Sequence, residues 1–287
     1  MRVFIFGLGY SGKAVGRLLA KHGVAVTGTV RHPDEAKGLD FPPLAFERGH
    51  PLPAQALAGI THILSTVPPD DSGDPVIDEA GAAIAAQPGL VWVGYLSTTG
   101  VYGDRQGGWV DEDSERRPGL ERAKRRAKAE DQWLELWQSR GVPVHLFRLA
   151  GIYGPGRSAF DALKAGKAHR VIKEGQVFSR IHVEDIAGAL WASMNRPRPG
   201  AIYNLCDDDP APPEAVIAEA ARLLGIEPPP AIPFDRAGLS DMAKSFYADN
   251  KRVSNRRLKE ELGYRLLYPD YRQGLAAILK GWLEGSA

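Results

Sequence analysis

The sequence predicts an α/β fold, in which a doubly wound parallel sheet carries a smaller C-terminal cap domain. Short apolar strands alternate with helical patterns through the N-terminal half of the chain. The strand at residues 2–6 runs directly into a glycine-rich turn, and prolines become frequent after residue 196. Continuous apolar strands are typical of parallel sheets that helices cover on both faces. These observations predict the class of the fold.

The strands predicted for the sheet follow one another with helices between them. They cover residues 2–6, 24–30, 61–67, 90–96, 144–153 and 200–205. A first helix follows the glycine-rich turn and ends at Gly23, and a long helix near 119–139 has apolar residues at three- and four-residue spacing. Right-handed β-α-β connections then place ligands at the carboxyl ends of the strands.

The composition is that of an ordinary globular protein, and it argues against several classes of function. The 287 residues are 44% hydrophobic and 25% charged, with a net charge of +1. A near-neutral chain has no overall field that attracts nucleic acid or an anionic membrane surface. No apolar run approaches the roughly 20 residues that span a bilayer, and glycines break the N-terminal stretch MRVFIFGLG, unlike a signal peptide. We expect neither a nucleic-acid partner nor a membrane.

Cysteine and histidine usage adds two expectations. Cys206 is the single cysteine, so no internal disulfide forms, and this fits the reducing cytoplasm. The sequence has no grouped Cys/His ligands and no H-E-x-x-H pattern, so no metal site is expected. We therefore expect a cytoplasmic protein without a bound metal.

The turn after the first strand has the pattern G-x-G-x-x-G. Gly7 permits the tight turn, Gly9 lets the backbone approach a pyrophosphate, and Gly12 lets the helix pack closely on the strand. The helix N-terminus then presents free N–H groups and a positive dipole to phosphates. An ordinary βα turn without a ligand is the alternative. The motif predicts a Rossmann-type dinucleotide site that includes Tyr10 and Ser11.

The end of the second strand indicates which dinucleotide binds. An acid there would hold the ribose 2′-hydroxyl of NAD, but residues 24–33 contain none. Arg31 instead offers a guanidinium to the 2′-phosphate of NADP, and Thr29 adds a hydroxyl. A solvated loop arginine is the alternative for Arg31. NADP is therefore predicted, with NAD as the second choice.

The strand at residues 61–67 ends on the same edge of the sheet as the glycine turn. Pro68 and Pro69 stop the strand and stiffen the loop that would lie against the cofactor. We include Thr66, Val67 and Pro68 among the predicted cofactor contacts, with a purely structural loop as the equal alternative.

The two domains are expected to be interleaved along the chain. Residues 1–155 and about 181–206 are assigned to the Rossmann-type, dinucleotide-binding domain. Residues about 156–180 and 207–287 are assigned to the cap, where a small-molecule substrate is expected to bind. Short helices between clustered prolines distinguish the second part from the first.

Five motifs in a fixed order connect the chain with a known family. They are GLGYSG (7–12), STTGVYGD (97–104), RLAGIYGPG (148–156), SRIHVEDIA (179–187) and YNLCDDDP (203–210). With them the chain resembles the atypical members of the extended short-chain dehydrogenases/reductases, the NAD-dependent epimerase/dehydratase family. The resemblance covers nearly the whole chain. It implies a Rossmann-type domain that binds NAD(P), a C-terminal substrate domain, and chemistry on small carbonyl or sugar-like compounds.

The resemblance places a catalytic hydroxyl in the stretch STTGVYG. The family's catalytic Ser/Thr falls on Thr98, where it would hydrogen-bond the substrate oxygen during hydride transfer. Ser97 and Thr99 flank it, and we expect Ser97 to take part in catalysis and Thr99 to contact the substrate. The alternative is that these hydroxyls only bond the backbone where a strand ends.

The family's tyrosine and lysine partners are replaced in this chain. The Tyr-x-x-x-Lys of the next helix aligns with Arg122 and Arg126. Arginine stays protonated at physiological pH, so Arg122 cannot shuttle a proton, although it can bind an anionic group. Arg126 can still hold the nicotinamide ribose, and Tyr102 is a substitute acid, with packing as its alternative. The literal Tyr-x-x-x-Lys at Tyr247 to Lys251 lies far downstream and is treated as a chance match.

Substrate contacts are expected where the sheet and the cap meet. Tyr153, Arg157 and Arg180 lie there, as does Arg148, and Tyr153 is a second substitute acid. Basic residues crowd the stretch 116–128, but the near-neutral total charge and the acidic stretch before it favour a solvated helix face over a nucleic-acid surface. A homodimer is common in the family and is kept as an expectation.

These observations predict an NADP(H)-binding oxidoreductase or epimerase-like enzyme that acts on a small polar metabolite, anionic in our working hypothesis. The competing hypothesis is a regulatory protein that senses NADP(H) and has lost catalysis, which the missing tyrosine allows. A sheet domain that binds no nucleotide is the third hypothesis.

Overall fold

The computed structural model describes residues 1–32, 43–53 and 55–285 of the chain. Its strands are β1 (Arg2–Phe6), β2 (Ala25–Val30), β3 (Pro43–Ala45), β4 (His62–Ser65), β5 (Trp92–Thr98), β6 (Trp109–Val110), β7 (Val144–Leu149), β8 (Gly151–Tyr153), β9 (Arg170–Ile172), β10 (Arg180–His182), β11 (Ile202–Leu205), β12 (Ala231–Pro233) and β13 (Arg252–Val253). Its helices are α1 (Tyr10–Lys21), α2 (Pro75–Ala85), α3 (Glu121–Arg140), α4 (Ala159–Lys164), α5 (Val183–Asn195), α6 (Pro213–Leu224), α7 (Asp241–Phe246), α8 (Arg256–Glu260) and α9 (Tyr271–Gly285). No helix in this described part is long and apolar enough to cross a membrane.

Seven parallel strands form the main sheet, in the order β11-β7-β5-β4-β1-β2-β3. The order reverses beside β1, which pairs in parallel with β2 on one side and with β4 on the other. Doubly wound sheets bind their ligands in the crevice that this reversal opens at the carboxyl ends of the strands. The predicted α/β class, with its Rossmann-type parallel sheet, is confirmed.

Two apolar layers hold the helices against the main sheet. Successive residues of β1 point to opposite faces, so Val3 and Ile5 join one layer while Phe4 and Phe6 join the other. The first layer includes side chains of α1 and α5, and the second includes side chains of α2 and α3. Each fully buried aliphatic or aromatic side chain stabilises the fold by roughly 1.5–3 kcal/mol.

The strand predicted at residues 144–153 is in fact two strands in two sheets. β7 stays in the main sheet, whereas β8 pairs with β10 in a separate two-stranded sheet. The N–H of Ala150 still donates to the carbonyl of Leu205, but the next N–H, that of Gly151, donates to the carbonyl of Ser179. The chain therefore leaves the main sheet at this point, beside the carboxyl end of β7.

A third apolar cluster gathers α4, α6 and α9 rather than the main sheet. It includes Tyr153, Phe160, Tyr271 and Leu275. Further small sheets pair β12 with β9 and β13 with β6, each in parallel. The proposed division of the chain at residues 155, 181 and 206 stays a prediction, and residues 33–42, 54, 286 and 287 within it lie outside the described part.

Candidate functional site

One cavity of about 870 Å³ opens at the carboxyl ends of β1, β4, β5 and β7 and extends to cap residues 245–253. Of the predicted site residues, those that line it are Gly9, Tyr10, Ser11, Thr66, Pro68, Ser97, Thr98, Thr99, Arg122, Arg126, Tyr153, Arg157 and Arg180. The described wall does not include Gly7, Gly12, Thr29, Arg31, Val67 or Tyr102. The structure thus brings most of the predicted cofactor, catalytic and substrate positions to one place.

The glycine turn is locked from two sides. Gly7 has a positive φ of 88°, its N–H donates to Thr29 Oγ1 at 2.9 Å, and its carbonyl accepts from Thr66 Oγ1 at 2.6 Å. A Cβ atom added at Gly12 would overlap the carbonyl oxygen of Gly7, whereas one added at Gly9 would meet nothing within 4 Å. Gly12 is therefore required by packing, and Gly9 borders open space of the kind a pyrophosphate fills.

Helix α1 begins at this open space. Its N-cap, Gly9, makes no side-chain hydrogen bond to the helix, and its first turn contains no acidic residue. Helix N-termini of this kind bind phosphate groups through unpaired N–H groups and the helix dipole. The turn and the helix together fit the pyrophosphate of a dinucleotide.

Two residues predicted to bind the cofactor make contacts within the protein. Thr29 is 1% exposed beneath the glycine turn, so its hydroxyl holds Gly7 and is not available to a 2′-phosphate. Val67 packs on the apolar layer beside α2 and α3. Arg31, in contrast, is exposed directly after β2. Of the two groups predicted for the 2′-phosphate, Arg31 alone is accessible.

The three hydroxyl residues at the end of β5 have different partners. Ser97 Oγ donates to Glu130 Oε1 at 2.6 Å, so its hydrogen is already used. Thr98 Oγ1 accepts from the N–H of Gly100 at 3.1 Å, which leaves its own hydrogen for a ligand. Thr99 begins a 3-10 turn and is 8% exposed. Thr98 is thus the hydroxyl best placed to donate into the cavity.

Glu130 anchors a buried network behind this strand end. Arg148 donates to Glu130 through Nε at 3.0 Å and through Nη2 at 2.8 Å, and Arg116 donates to the same carboxylate at 3.2 Å. The Arg148 side chain is 4% exposed and does not line the cavity. The expectation that Arg148 contacts substrate is therefore wrong, because its guanidinium is enclosed by its own partners.

Arg122 and Arg126 lie one turn apart on α3, and both line the cavity. Arg126 Nη1 donates to the carbonyl of Leu96 and to the hydroxyl of Tyr95. The guanidinium of Arg122 lies 4.4 Å from the ring centroid of Phe246 on α7. Arg126 is thus tied to β5, whereas Arg122 reaches across to the cap.

Neither tyrosine considered as a substitute acid presents its hydroxyl to the cavity. Tyr102 donates to Asn204 Oδ1 at 2.7 Å and accepts from Arg148 Nη1 at 2.9 Å, and burial raises its pKa to about 12. The ring of Tyr153 reaches the cavity, but its hydroxyl occupies the space where a Cβ of Gly274 would lie. Burial raises the pKa of Tyr153 further still. Both geometry and protonation argue against an acid role.

The cap side of the cavity is cationic. Arg180 is fixed by two hydrogen bonds from Nη1, to the carbonyls of Phe178 at 2.8 Å and Ala211 at 3.0 Å, and burial lowers its pKa. The guanidinium of Arg157 lies 5.7 Å from the ring centroid of Tyr10. Neither arginine forms an ion pair with a carboxylate in the described part of the chain. Both are placed to meet an anionic ligand.

Sequence reasoning missed the cap residues of the wall. Asp249 and Lys251 line the cavity, and Lys251 Nζ lies 3.2 Å from Asp249 Oδ2. Tyr247, the other member of the downstream Tyr-x-x-x-Lys, packs instead on Phe178 with ring centroids 5.5 Å apart. Of these two residues, Lys251 lines the cavity and Tyr247 does not. No group of three or more potential ligands able to hold a metal is found within residues 1–32, 43–53 and 55–285.

The chain is similar to several known proteins along nearly its whole length. No family model matches the chain. The chain is 31% identical over 285 residues to "Protein YeeZ" of Escherichia coli (strain K12), across 94% of this chain and 97% of that protein. A functionally unknown conserved protein from Silicibacter pomeroyi DSS is 50% identical, with a TM-score of 0.90 over 98% of both chains. A protein described as an NAD-dependent epimerase/dehydratase from Methylobacillus flagellatus is 25% identical, with a TM-score of 0.72 over 98% of both chains.

Proposed function

The chain belongs to the NAD-dependent epimerase/dehydratase family of extended short-chain dehydrogenases/reductases, and on this premise we propose that it is an NADP(H)-dependent oxidoreductase or epimerase-like enzyme. Its substrate in this proposal is a small polar metabolite that carries a negative charge. When bound, the nicotinamide dinucleotide supplies or accepts the hydride.

The proposal rests on one observation: three kinds of group line the same cavity. Gly9 offers room for a pyrophosphate, Thr98 offers a free hydroxyl hydrogen, and arginines line much of the rest. Four of them form no ion pair with a carboxylate in the described part of the chain: Arg122, Arg126, Arg157 and Arg180. Guanidinium groups of this kind favour a carboxylate or phosphate ligand, to which they donate charge-assisted hydrogen bonds.

Each lining residue then has a defined task. The glycine turn and the N-terminus of α1 hold the pyrophosphate. Thr98 donates a hydrogen bond to the substrate oxygen at which charge develops, and its orientation is fixed by the N–H of Gly100. Arg126, held by the carbonyl of Leu96, takes the place of the lysine that contacts the nicotinamide ribose. Arg157 and Arg180 bind the anionic end of the substrate.

The preference for NADP rests on Arg31 in this proposal. Arg31 is exposed directly after β2, where an acid would otherwise contact the ribose 2′-hydroxyl of NAD. A guanidinium at that position donates to a 2′-phosphate, and an unphosphorylated ribose gives it no such partner.

The proposal is tested by binding and by turnover on the same protein. NADPH and NADH are titrated in parallel by nucleotide fluorescence, and tighter binding of NADPH is expected. NADPH oxidation is then followed with matched carbonyl pairs: phenylglyoxylate and levulinate, each beside its methyl ester. Faster oxidation with the acids than with the esters is expected. Absence of binding to both nucleotides would contradict the proposal outright.

The alternative is an NADP(H)-sensing regulatory protein without catalysis. It is favoured by Arg122, which aligns with the family's catalytic tyrosine in the sequence and packs on Phe246 and Met242 of α7. The protein would then bind NADPH tightly but oxidise it with none of the carbonyl compounds, even when each compound is supplied alone at high concentration. That result would select this alternative.

Two further proposals from the sequence concern the protein's setting. We propose a homodimer, which light scattering on the purified protein tests directly. We also propose a cytoplasmic location, which suits a chain whose single cysteine, Cys206, is buried and unpaired. Cell fractionation tests this second proposal.

A further inference from the structure

Hydride transfer to a carbonyl leaves the substrate oxygen in need of a proton, and the cavity lacks the family's tyrosine for this task. Arg122 stands at the tyrosine position, but an arginine stays protonated and its guanidinium packs on Phe246. A different group must supply the proton if the proposed reaction occurs here.

Several hydroxyl groups of the wall are already engaged. The hydroxyl of Tyr10 donates to the carbonyl of Pro155 at 3.1 Å, and burial raises its pKa to about 12. Ser97 donates to Glu130, and the hydroxyl of Tyr153 is directed at α9. Thr98 can donate a hydrogen bond, but an aliphatic alcohol does not release its proton near neutral pH.

Lys251 differs from these groups. Its side chain is 10% exposed, and its ammonium forms an ion pair with Asp249, whose side chain is 16% exposed. An ammonium group has three N–H donors, so the ion pair leaves donors for a ligand in the cavity. Burial lowers the pKa of Lys251, while the nearby carboxylate of Asp249 opposes that shift. A lysine in such surroundings exchanges protons more readily near neutral pH than an exposed lysine does.

Backbone hydrogen bonds connect Lys251 with the segment that follows Thr98. The carbonyl of Asn250 accepts from the N–H groups of Arg105 at 3.0 Å and Gly107 at 2.9 Å. The N–H of Asn250 donates to Asp104 Oδ1 at 2.8 Å. β13, which begins just after Lys251, pairs in parallel with β6. The cap segment with Lys251 is thus held against the chain that leaves β5.

The contact between Arg122 and α7 fixes the same cap segment from a second direction. Phe246, on which Arg122 packs, lies five residues before Lys251 and lines the same cavity. Arg122, which aligns with the family's tyrosine, therefore packs on the segment that leads to Lys251, and both side chains line the same cavity.

We propose that Lys251 donates the proton to the substrate oxygen, in place of the missing tyrosine, and this rests on the proposed function. A bound NADPH would supply the hydride, with its two electrons, to the carbonyl carbon, and the π electrons of the C=O bond would move to the oxygen. An N–H bond of the Lys251 ammonium breaks as the O–H bond of the product forms. The neutral amine regains its proton from water, and Asp249 stabilises the restored ammonium.

The test compares three variants of the full chain with the wild type. Lys251→Met removes the proton and the charge, whereas Lys251→Arg keeps the charge but cannot release the proton at neutral pH. Lys244→Met is the matched control, because Lys244 lies on α7 of the same segment but its side chain is 58% exposed. Its Nζ atom also has a carboxylate neighbour, Asp241 Oδ1, at 4.0 Å. NADPH oxidation is measured with phenylglyoxylate and levulinate over a range of pH, and NADPH binding is measured by fluorescence.

The expected result is a loss of about 100-fold or more in kcat for both Lys251 variants, the usual range for a general acid. NADPH affinity and the Lys244→Met rate stay as in the wild type. In the wild type, kcat falls as pH rises through the pKa of Lys251, since the acid must be protonated. In both variants this decrease of kcat with rising pH is absent. A readout without turnover is reductive methylation followed by mass spectrometry, in which Lys251 of the wild type reacts at a lower pH than Lys244.

Four results would overturn the assignment. A Lys251→Arg protein with near wild-type kcat would show that charge, not proton transfer, is what Lys251 supplies. A Lys251→Met protein that loses NADPH binding would assign Lys251 to the cofactor or to the fold. A wild type that binds NADPH yet reduces no carbonyl compound would refute the oxidoreductase and its proton donor together, whereas active wild type with active variants would refute Lys251 alone.

Discussion

Arg148 and Glu130 form a two-armed ion pair directly behind the end of β5. The side chains are 4% and 0% exposed, and both carboxylate oxygens accept from the same guanidinium. Ser97, which pairs in register with Arg148 across β5 and β7, donates to the same carboxylate. This pair fixes the backbone immediately before Thr98, so the position of the candidate catalytic hydroxyl depends on it.

Replacing Glu130 by glutamine is expected to destabilise the protein by about 3–5 kcal/mol, because it leaves the Arg148 guanidinium buried without its counter-charge. Urea unfolding followed by tryptophan fluorescence measures the change. Glu121→Gln is the control on the same helix, since Glu121 is 71% exposed and bonds only Lys124 in the described structure. Equal unfolding midpoints for the two variants would contradict the role given to the pair.

The glycine turn allows packing and binding to be separated by two substitutions. Gly12→Ala places a methyl group against the carbonyl of Gly7, so we expect a loss of about 1–3 kcal/mol in stability together with weaker NADPH binding. Gly9→Ala meets nothing within 4 Å, so we expect a wild-type unfolding midpoint but NADPH binding weakened about tenfold or more. Thermal unfolding and fluorescence titration measure both. An unchanged NADPH affinity in Gly9→Ala would contradict the assignment of the pyrophosphate to this turn.

Selectivity between the two dinucleotides is expected to change at Arg31. Arg31→Ala removes a charge-assisted contact with the 2′-phosphate, which is worth about 1.5–3 kcal/mol, or roughly 10- to 100-fold in NADPH affinity. NADH affinity is expected to stay the same. Arg17, which is exposed on α1, provides the matched Arg17→Ala control. A parallel loss of NADPH and NADH affinity in Arg31→Ala would assign Arg31 to a different part of the cofactor.

Asp207 is expected to make stability depend on pH. It is 1% exposed, and burial raises its pKa to about 8, although the nearby Arg180 guanidinium opposes that shift. The folded protein keeps this proton up to about pH 8, whereas the unfolded chain releases it near the ordinary pKa of about 4. The free energy of unfolding therefore falls as pH rises from about 4 to about 8, and Asp207 causes no further change above that pH.

Asp207→Asn removes this dependence, since the amide stays neutral. At acid pH the variant and the wild type are expected to have the same free energy of unfolding. Above pH 8 the free energy of unfolding of the variant is expected to be higher by a few kcal/mol, since a shift of one pKa unit corresponds to about 1.4 kcal/mol. His182, whose pKa is lowered to about 4 by burial, weakens both proteins on acidification and cancels in the difference. A stability difference that does not change with pH would contradict the raised pKa.

The sequence identified what local patterns determine. The strand at residues 2–6 and the turn that follows it carry all their signals within a dozen residues, and both have the predicted form. The edge strand β3 was missed, because Pro43 begins a stretch with little resemblance to a buried strand. The break at Ala150 was also missed, because an apolar run looks the same whether it stays in one sheet or passes into another.

Other errors concerned what a polar group faces. Thr29 and Arg148 look like ligand-binding residues in the sequence, yet the first bonds Gly7 and the second bonds Glu130 in the core. Lys251 looked like a chance match, because its place in the wall depends on pairing between segments about 145 residues apart. Burial and long-range pairing are properties of the folded chain, and no short pattern encodes them.

The way Asn250 is held has a consequence for how this site can change over evolutionary time. Its main-chain groups and its side chain fasten the cap segment, through bonds to Asp104, Arg105, Gly107, Gly175 and Val177. The side chains on either side, those of Asp249 and Lys251, take no part in these bonds. Substitutions at these two positions can therefore change the chemistry of the cavity wall, including its proposed proton donor, while the bonds of Asn250 still hold the cap segment.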